Sequence, residues 1–177
     1  MTRVELKTLT FSAGSQILSI DNAVLNAVPK RLLFTMVKNA VFIGTMDTKP
    51  YKFQHYISDF SLFVNGKLYL QEGLSLGMDN EKTSLMGYRT LFEVLGIHHS
   101  NAGHQIAHDM FVNGYFMLLF DLTPNQGASE AHTFHPEEGN IRVKLKFAKP
   151  LPEAITCLLY LEFHNSVLIN LARVTTD

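Results

Sequence analysis

One cysteine, Cys157, stands in the 177 residues. That excludes an intrachain disulfide and any zinc centre built on several cysteines. Charge is scarce as well: Asp, Glu, Lys and Arg make up 18% of the chain, against about 25% in an average soluble domain. Fifteen basic and 16 acidic residues leave a formal net charge of −1. There is no basic run; the densest group, Arg142, Lys144 and Lys146, has the spacing of one face of a strand. Affinity for phosphate backbones comes from clustered Lys and Arg, so no specific nucleic-acid partner is expected. Long apolar runs are missing too. The longest strongly apolar stretch, Tyr115 to Phe120, falls far short of the roughly 20 residues a spanning helix needs, so no membrane insertion is expected. The first residues, Met1 to Lys7, hold no apolar signal core. The chain reads as soluble, made in a reducing compartment and not secreted by a signal peptide.

Apolar residues are plentiful, at 46%, and the mean hydropathy is +0.07. A chain of this length folds as one domain and hides roughly 70% of the surface its unfolded form exposes. Little charge with much apolar surface points to subunit contacts. Short strands separated by turn residues dominate. Strands are predicted at Val4 to Phe11, Gln16 to Ile20 (stopped by Asp21-Asn22), Arg31 to Lys38 and Ile57 to Val64. Asn65-Gly66 then marks a hairpin into Lys67 to Leu70, because Asn-Gly readily takes positive φ at both turn positions. Further strands are predicted at Gly114 to Leu122, Asn140 to Phe147, Ile155 to Phe163 and Val167 to Leu171. In Arg31 to Lys38 both faces are apolar, as in a strand packed on both sides. Asn140 to Phe147 alternates most cleanly.

One helix is predicted. Asp79 or Asn80 caps it, Glu81 suits its first turn, and Leu85, Tyr88, Leu91, Phe92 and Leu95 form its apolar face before Gly96. A second short helix around Lys38 to Ile43 is weakly signalled. The fold class is all-β: an eight-stranded antiparallel jelly-roll sandwich with one inserted helix and long loops, a single domain over 1–177. The expected core comprises Leu32, Phe34, Phe60, Leu62, Leu118, Phe120, Val143, Leu145, Leu159 and Leu161.

The search for chemistry yields no convincing catalytic set. His98, His99, His104 and His108 cluster, but Gln105 follows His104 where a His-Glu-x-x-His zinc protease needs Glu. Asn101 and Gly103 make the stretch read as loop. His132 and His135 are not the His-x-His pair of a metal-binding cupin, and they too sit in a loop. Cys157 lies mid-strand without a cationic neighbour and reads as core. Ser15, Ser75 and Ser84 sit in no nucleophile elbow. Gly73 and Gly77 lack the Lys-Ser/Thr of a phosphate loop. Glu137 and Glu138 are adjacent in a polar loop, where carboxylates are usually solvated. No catalytic residue, cofactor or metal-ligand set is therefore assigned; a cupin-like metal-dependent enzyme using the histidines is the alternative.

The order of short motifs resembles the C-terminal jelly roll of the double-jelly-roll major capsid protein (hexon) of Polinton/Maverick elements and adintoviruses. The carrying segments include Val4 to Thr8, Val28 to Arg31, Tyr51 to Tyr56, Phe63 to Gly66 and Tyr88 to Phe92. They continue with Gly96 to His98, Asn113 to Tyr115, Phe120 to Pro124, Gly139 to Arg142 and Tyr160 to Phe163. The resemblance implies a non-enzymatic structural protein of a virion. It also implies self-association as a homotrimer into pseudo-hexagonal capsomers that contact neighbouring capsid subunits. The length gives room for one roll, so the expectation is a fragment, a truncated or domesticated copy, or a protein that assembles differently. The long connections 39–56 and 72–112 would carry subunit contacts through Val41, Phe42, Ile43, Phe111 and Val112.

Overall fold

The computed structural model describes residues 2–45, 57–69, 73–76, 81–97, 103–128 and 137–165, with backbone alone at 81–84. Its strands are β1 (Thr2–Phe11), β2 (Ile17–Val24), β3 (Arg31–Lys38), β4 (Ile57–Val64), β5 (Lys67–Leu68), β6 (Leu74–Ser75), β7 (Met117–Asp121), β8 (Ile141–Phe147) and β9 (Ile155–His164). Helices are α1 (Asn39–Phe42), α2 (Glu81–Leu95) and α3 (His108–Val112). A four-stranded sheet has the order β1-β9-β3-β7, and a second has the order β2-β8-β4-β5 with β6 also on β4. Every pairing is antiparallel. From β1 to β4 the chain alternates between sheets, and it does so again from β7 to β9. That interleaving of two sheets is the jelly roll. The short strands β5 and β6 share the eighth place, so the expected eight positions are filled by nine strands among the described residues.

The inner faces follow from period-two alternation. In β8, Ile141, Val143, Leu145 and Phe147 are buried while Arg142, Lys144 and Lys146 are exposed. All ten expected core residues are buried. Phe34 of one sheet meets Phe60 of the other with ring centroids 5.0 Å apart, and Phe60 stacks on Phe120 at 5.3 Å. Asn65 (φ 52°) and Gly66 (φ 76°) form the hairpin turn from β4 to β5.

Several expectations need correction. Asp21-Asn22 does not stop β2. Asn22 takes φ 53°, the register on β8 shifts between Ile20 and Val24, and the strand continues to bury Ala23 and Val24. A bulge bends a strand without ending it. The strand predicted from Gly114 begins only at Met117, and the one predicted to Leu70 ends at Leu68. There are three helices among the described residues: α2 is the one expected, α1 forms where a short helix around Lys38 to Ile43 is weakly signalled, and α3 forms where a loop is expected. The buried stripe of α2 is Gly87, Thr90, Leu91 and Val94, while Leu85 and Leu95 are exposed. The reason is close approach: a side chain at Gly87 would crowd Leu76, Leu118 and Phe111. The strand predicted at Val167 to Leu171 and the Asp79/Asn80 cap lie outside the described residues.

Candidate functional site

Of the histidine cluster, the two described members, His104 and His108, are packed against rings. α2 presents Tyr88 and Phe92 to the segment leading into α3. Tyr88 donates its hydroxyl to the Ile106 carbonyl at 2.8 Å, and the Ile106 N–H donates to His104 Nδ1 at 3.2 Å. The Phe92 and His104 rings lie 4.2 Å apart, and Tyr88 meets His104 and His108 edge-on at 5.3 and 5.2 Å. These two imidazoles act as flat, polarisable packing groups around one tyrosine. Among the described residues no three His, Cys, Asp or Glu side chains converge as a metal site. His98, His99, His132 and His135 lie outside the described residues.

The remaining candidates are equally separate. Cys157 is buried on the inner face of β9, and burial pushes its thiol up to about 12. That thiol stays protonated and serves as core. Ser75 pairs with Asp59 at the end of β4, remote from Ser15, whose carbonyl accepts from Leu151 N–H at 3.0 Å. Glu137 and Glu138 are exposed. A cleft of about 200 Å³ at one end of the sandwich is lined by Arg3, Pro29, Lys30, Pro124, Phe163 and His164, among others. Its cations already have partners: Arg3 lies 3.0 Å from Glu5, and Lys30 lies 3.7 Å from Glu162.

One polar cluster escaped the sequence reading. Asp121 is buried at the end of β7, where its carboxylate accepts from Thr123 N–H at 3.0 Å, Thr123 Oγ1 at 2.5 Å and Ala128 N–H at 2.8 Å. The Tyr69 hydroxyl donates to the Asp121 carbonyl, and burial with the nearby Asp121 charge pushes that phenol up to about 12. The Asp-x-Thr spacing is an Asx-turn signal. Its role is to fasten the turn after β7 and to tie it to the other sheet.

What the surface offers is apolar contact area. Phe42 and Ile43 project from α1, and Leu85, Met86 and Leu95 from α2, all exposed. Val4 and Leu6 are exposed on β1, beside Tyr160 of β9. Of the expected contact residues, Phe42 and Ile43 are exposed, but Phe111 is fully buried and Val112 packs against the core. The reason is α3, which turns Phe111 inward onto Phe116 and Tyr88 at 5.3 and 5.5 Å. Among the described residues no helix is long and apolar enough to cross a membrane.

The chain matches no family model. It is 28% identical over 141 residues to an uncharacterized protein of Caenorhabditis elegans, covering 77% of this chain and 33% of that protein. It thus spans about a third of the length of that relative. Among solved structures it is similar to a quasi-atomic model of the PBCV-1 virus capsid, with a TM-score of 0.52 and 8% identity. That likeness covers 94% of this chain and 48% of the capsid chain. At such low identity the likeness shows the fold: an all-β jelly-roll sandwich.

Proposed function

We propose that this chain is a non-enzymatic structural unit of the major-capsid type, related to the double-jelly-roll hexons of Polinton/Maverick elements and adintoviruses. The observation that carries the reading is the superposition of nearly the whole chain, 94%, on about half, 48%, of a viral capsid chain. In this role one jelly roll pairs with a second, and three such pairs close into a pseudo-hexagonal capsomer within a virion. The exposed Phe42 and Ile43 at the tip of α1 suit such subunit contacts, since the buried core of an interface is more apolar than the rest of the surface and enriched in aromatic residues. Low charge fits the same use, because interface cores are depleted in charged residues. The cupin-like alternative needs histidines converging on a metal, whereas His104 and His108 are spent on Tyr88.

Electron microscopy and sedimentation of the chain, alone and fused behind an upstream jelly roll, test the proposal. Ring-shaped trimers or shells are expected of the fusion. A fusion that folds yet stays monomeric at high concentration overturns the reading. A stoichiometric metal in the purified protein would favour the enzyme instead.

A further inference from the structure

Strand β1 is the outermost strand of its sheet, paired only with β9 among the described residues. About half of its backbone N–H and C=O groups therefore point away from the sheet over ten residues. Arg3, Glu5 and Lys7 share the inward face with Leu9 and Phe11, because they stand opposite Phe163, Leu161 and Leu159 of β9. Inward charges on an edge strand ordinarily guard against pairing with another edge. Here their signs alternate, and that makes certain registers self-complementary.

We propose that β1 is a homotypic docking edge, joining two copies of this chain through antiparallel β1–β1 pairing about a two-fold axis. Opposed residues in an antiparallel pair lie on the same face, so such an axis normal to the sheet allows only registers whose residue numbers sum to an even value. Sums of 12 and 14 pair the most residues within Thr2–Phe11. A sum of 14 sets Lys7 against Lys7, and a sum of 10 sets Glu5 against Glu5; both oppose like charges. A sum of 12 sets Glu5 against Lys7 twice, Arg3 against Leu9, and Leu6 against itself. On the outer face it also joins the exposed Val4 and Leu6 of both copies into one apolar strip. A sum of 8, which sets Arg3 against Glu5, pairs only residues 2–6, so overlap and electrostatic complementarity together choose the sum of 12, and the apolar strip adds the burial. The proposal does not depend on the capsid reading: its contact is two-fold at a sheet edge, whereas the capsomer contact is three-fold.

The test uses three variants of the whole chain. Leu6→Cys should cross-link copy to copy under mild oxidation, because directly opposed Cα atoms lie about 4.5–5.5 Å apart, within disulfide reach. Thr8→Cys should not, since in this register Thr8 faces Val4. Glu5→Lys and Lys7→Glu should each weaken the dimer about tenfold in sedimentation. Mixed together they should restore it, because positions 5 and 7 are then both basic on one strand and both acidic on the other, and every 5–7 pair joins opposite charges. Native monomer at all concentrations, cross-linking at Thr8 but not Leu6, or failure of the mixture to recover overturns the proposal. A trimer that forms without the Leu6 cross-link also overturns it, while leaving the capsid reading standing.

Discussion

Two rows of outward side chains cross the sandwich on opposite sides, and they meet their surroundings differently. On the five-stranded sheet the row is Ser19, Lys144 and Ser61, polar throughout. On the four-stranded sheet the row is Leu6, Tyr160, Leu33 and Leu119, apolar throughout. Exposure along the second row falls from 60% at Leu6 through 37% at Tyr160 to 8% at Leu119. The cause is α2, which lies over β7: Thr90 Oγ1 accepts from Leu119 N–H at 3.3 Å on the strand's otherwise open edge. One end of the sheet is covered by α2, and among the described residues the other end is open.

The comparison can be broken at the layer both sheets share. Phe34→Ala removes a fully buried ring that touches Phe60 across the core, and should cost about 3–5 kcal/mol in chemical denaturation. Leu119→Ala, under α2, should cost about 2–3 kcal/mol. If it behaved like an exposed position, the asymmetry along the row would fail. Thr90→Val keeps the shape but strands the Leu119 N–H, and should cost about 1–2 kcal/mol.

Alkaline pH probes the seam between the sheets. The Cys157 thiol and the Tyr69 phenol both lie at about 12, raised by burial from ordinary values of 9.0 and 10.0. Their stabilising contribution is therefore full below about pH 9 and is lost as pH rises toward 12, because only the unfolded chain ionises in that window. Denaturation midpoints should fall across it, and Tyr69→Phe should flatten part of the fall. The smallest effects belong to the open positions. Leu6→Ala and Lys144→Ala should each change monomer stability by no more than about 0.5 kcal/mol. Equal near-neutrality in the monomer, with only Leu6→Ala weakening association, would sharpen the contrast between the two faces.

Much of the sandwich was legible because alternation is a local signal. Residues 141–147 announce their inner and outer faces unaided, and the Asn65-Gly66 turn needs no tertiary help. The helix was legible as a helix but not in its orientation. Leu85 and Leu95 read as core by hydrophobicity, yet Gly87 and Thr90 are buried beside Leu91 and Val94. A small residue permits close packing and a hydroxyl satisfies a strand edge, and neither virtue registers as apolar. Phe111 was misplaced because five residues of helix are too short to show a period. The Asp121 turn was readable in principle from Asp-x-Thr, but its tie to Tyr69 joins residues 52 apart in sequence.

The amino-acid order by itself determined most of the long strands, where the sharpest turn falls, and ten of the core side chains, since each depends on period and on residues near in sequence. Only the tertiary structure decided which faces stay open. Whether Leu119 is covered and Leu6 bare depends on where α2 settles, and that is set by contacts between residues far apart along the chain.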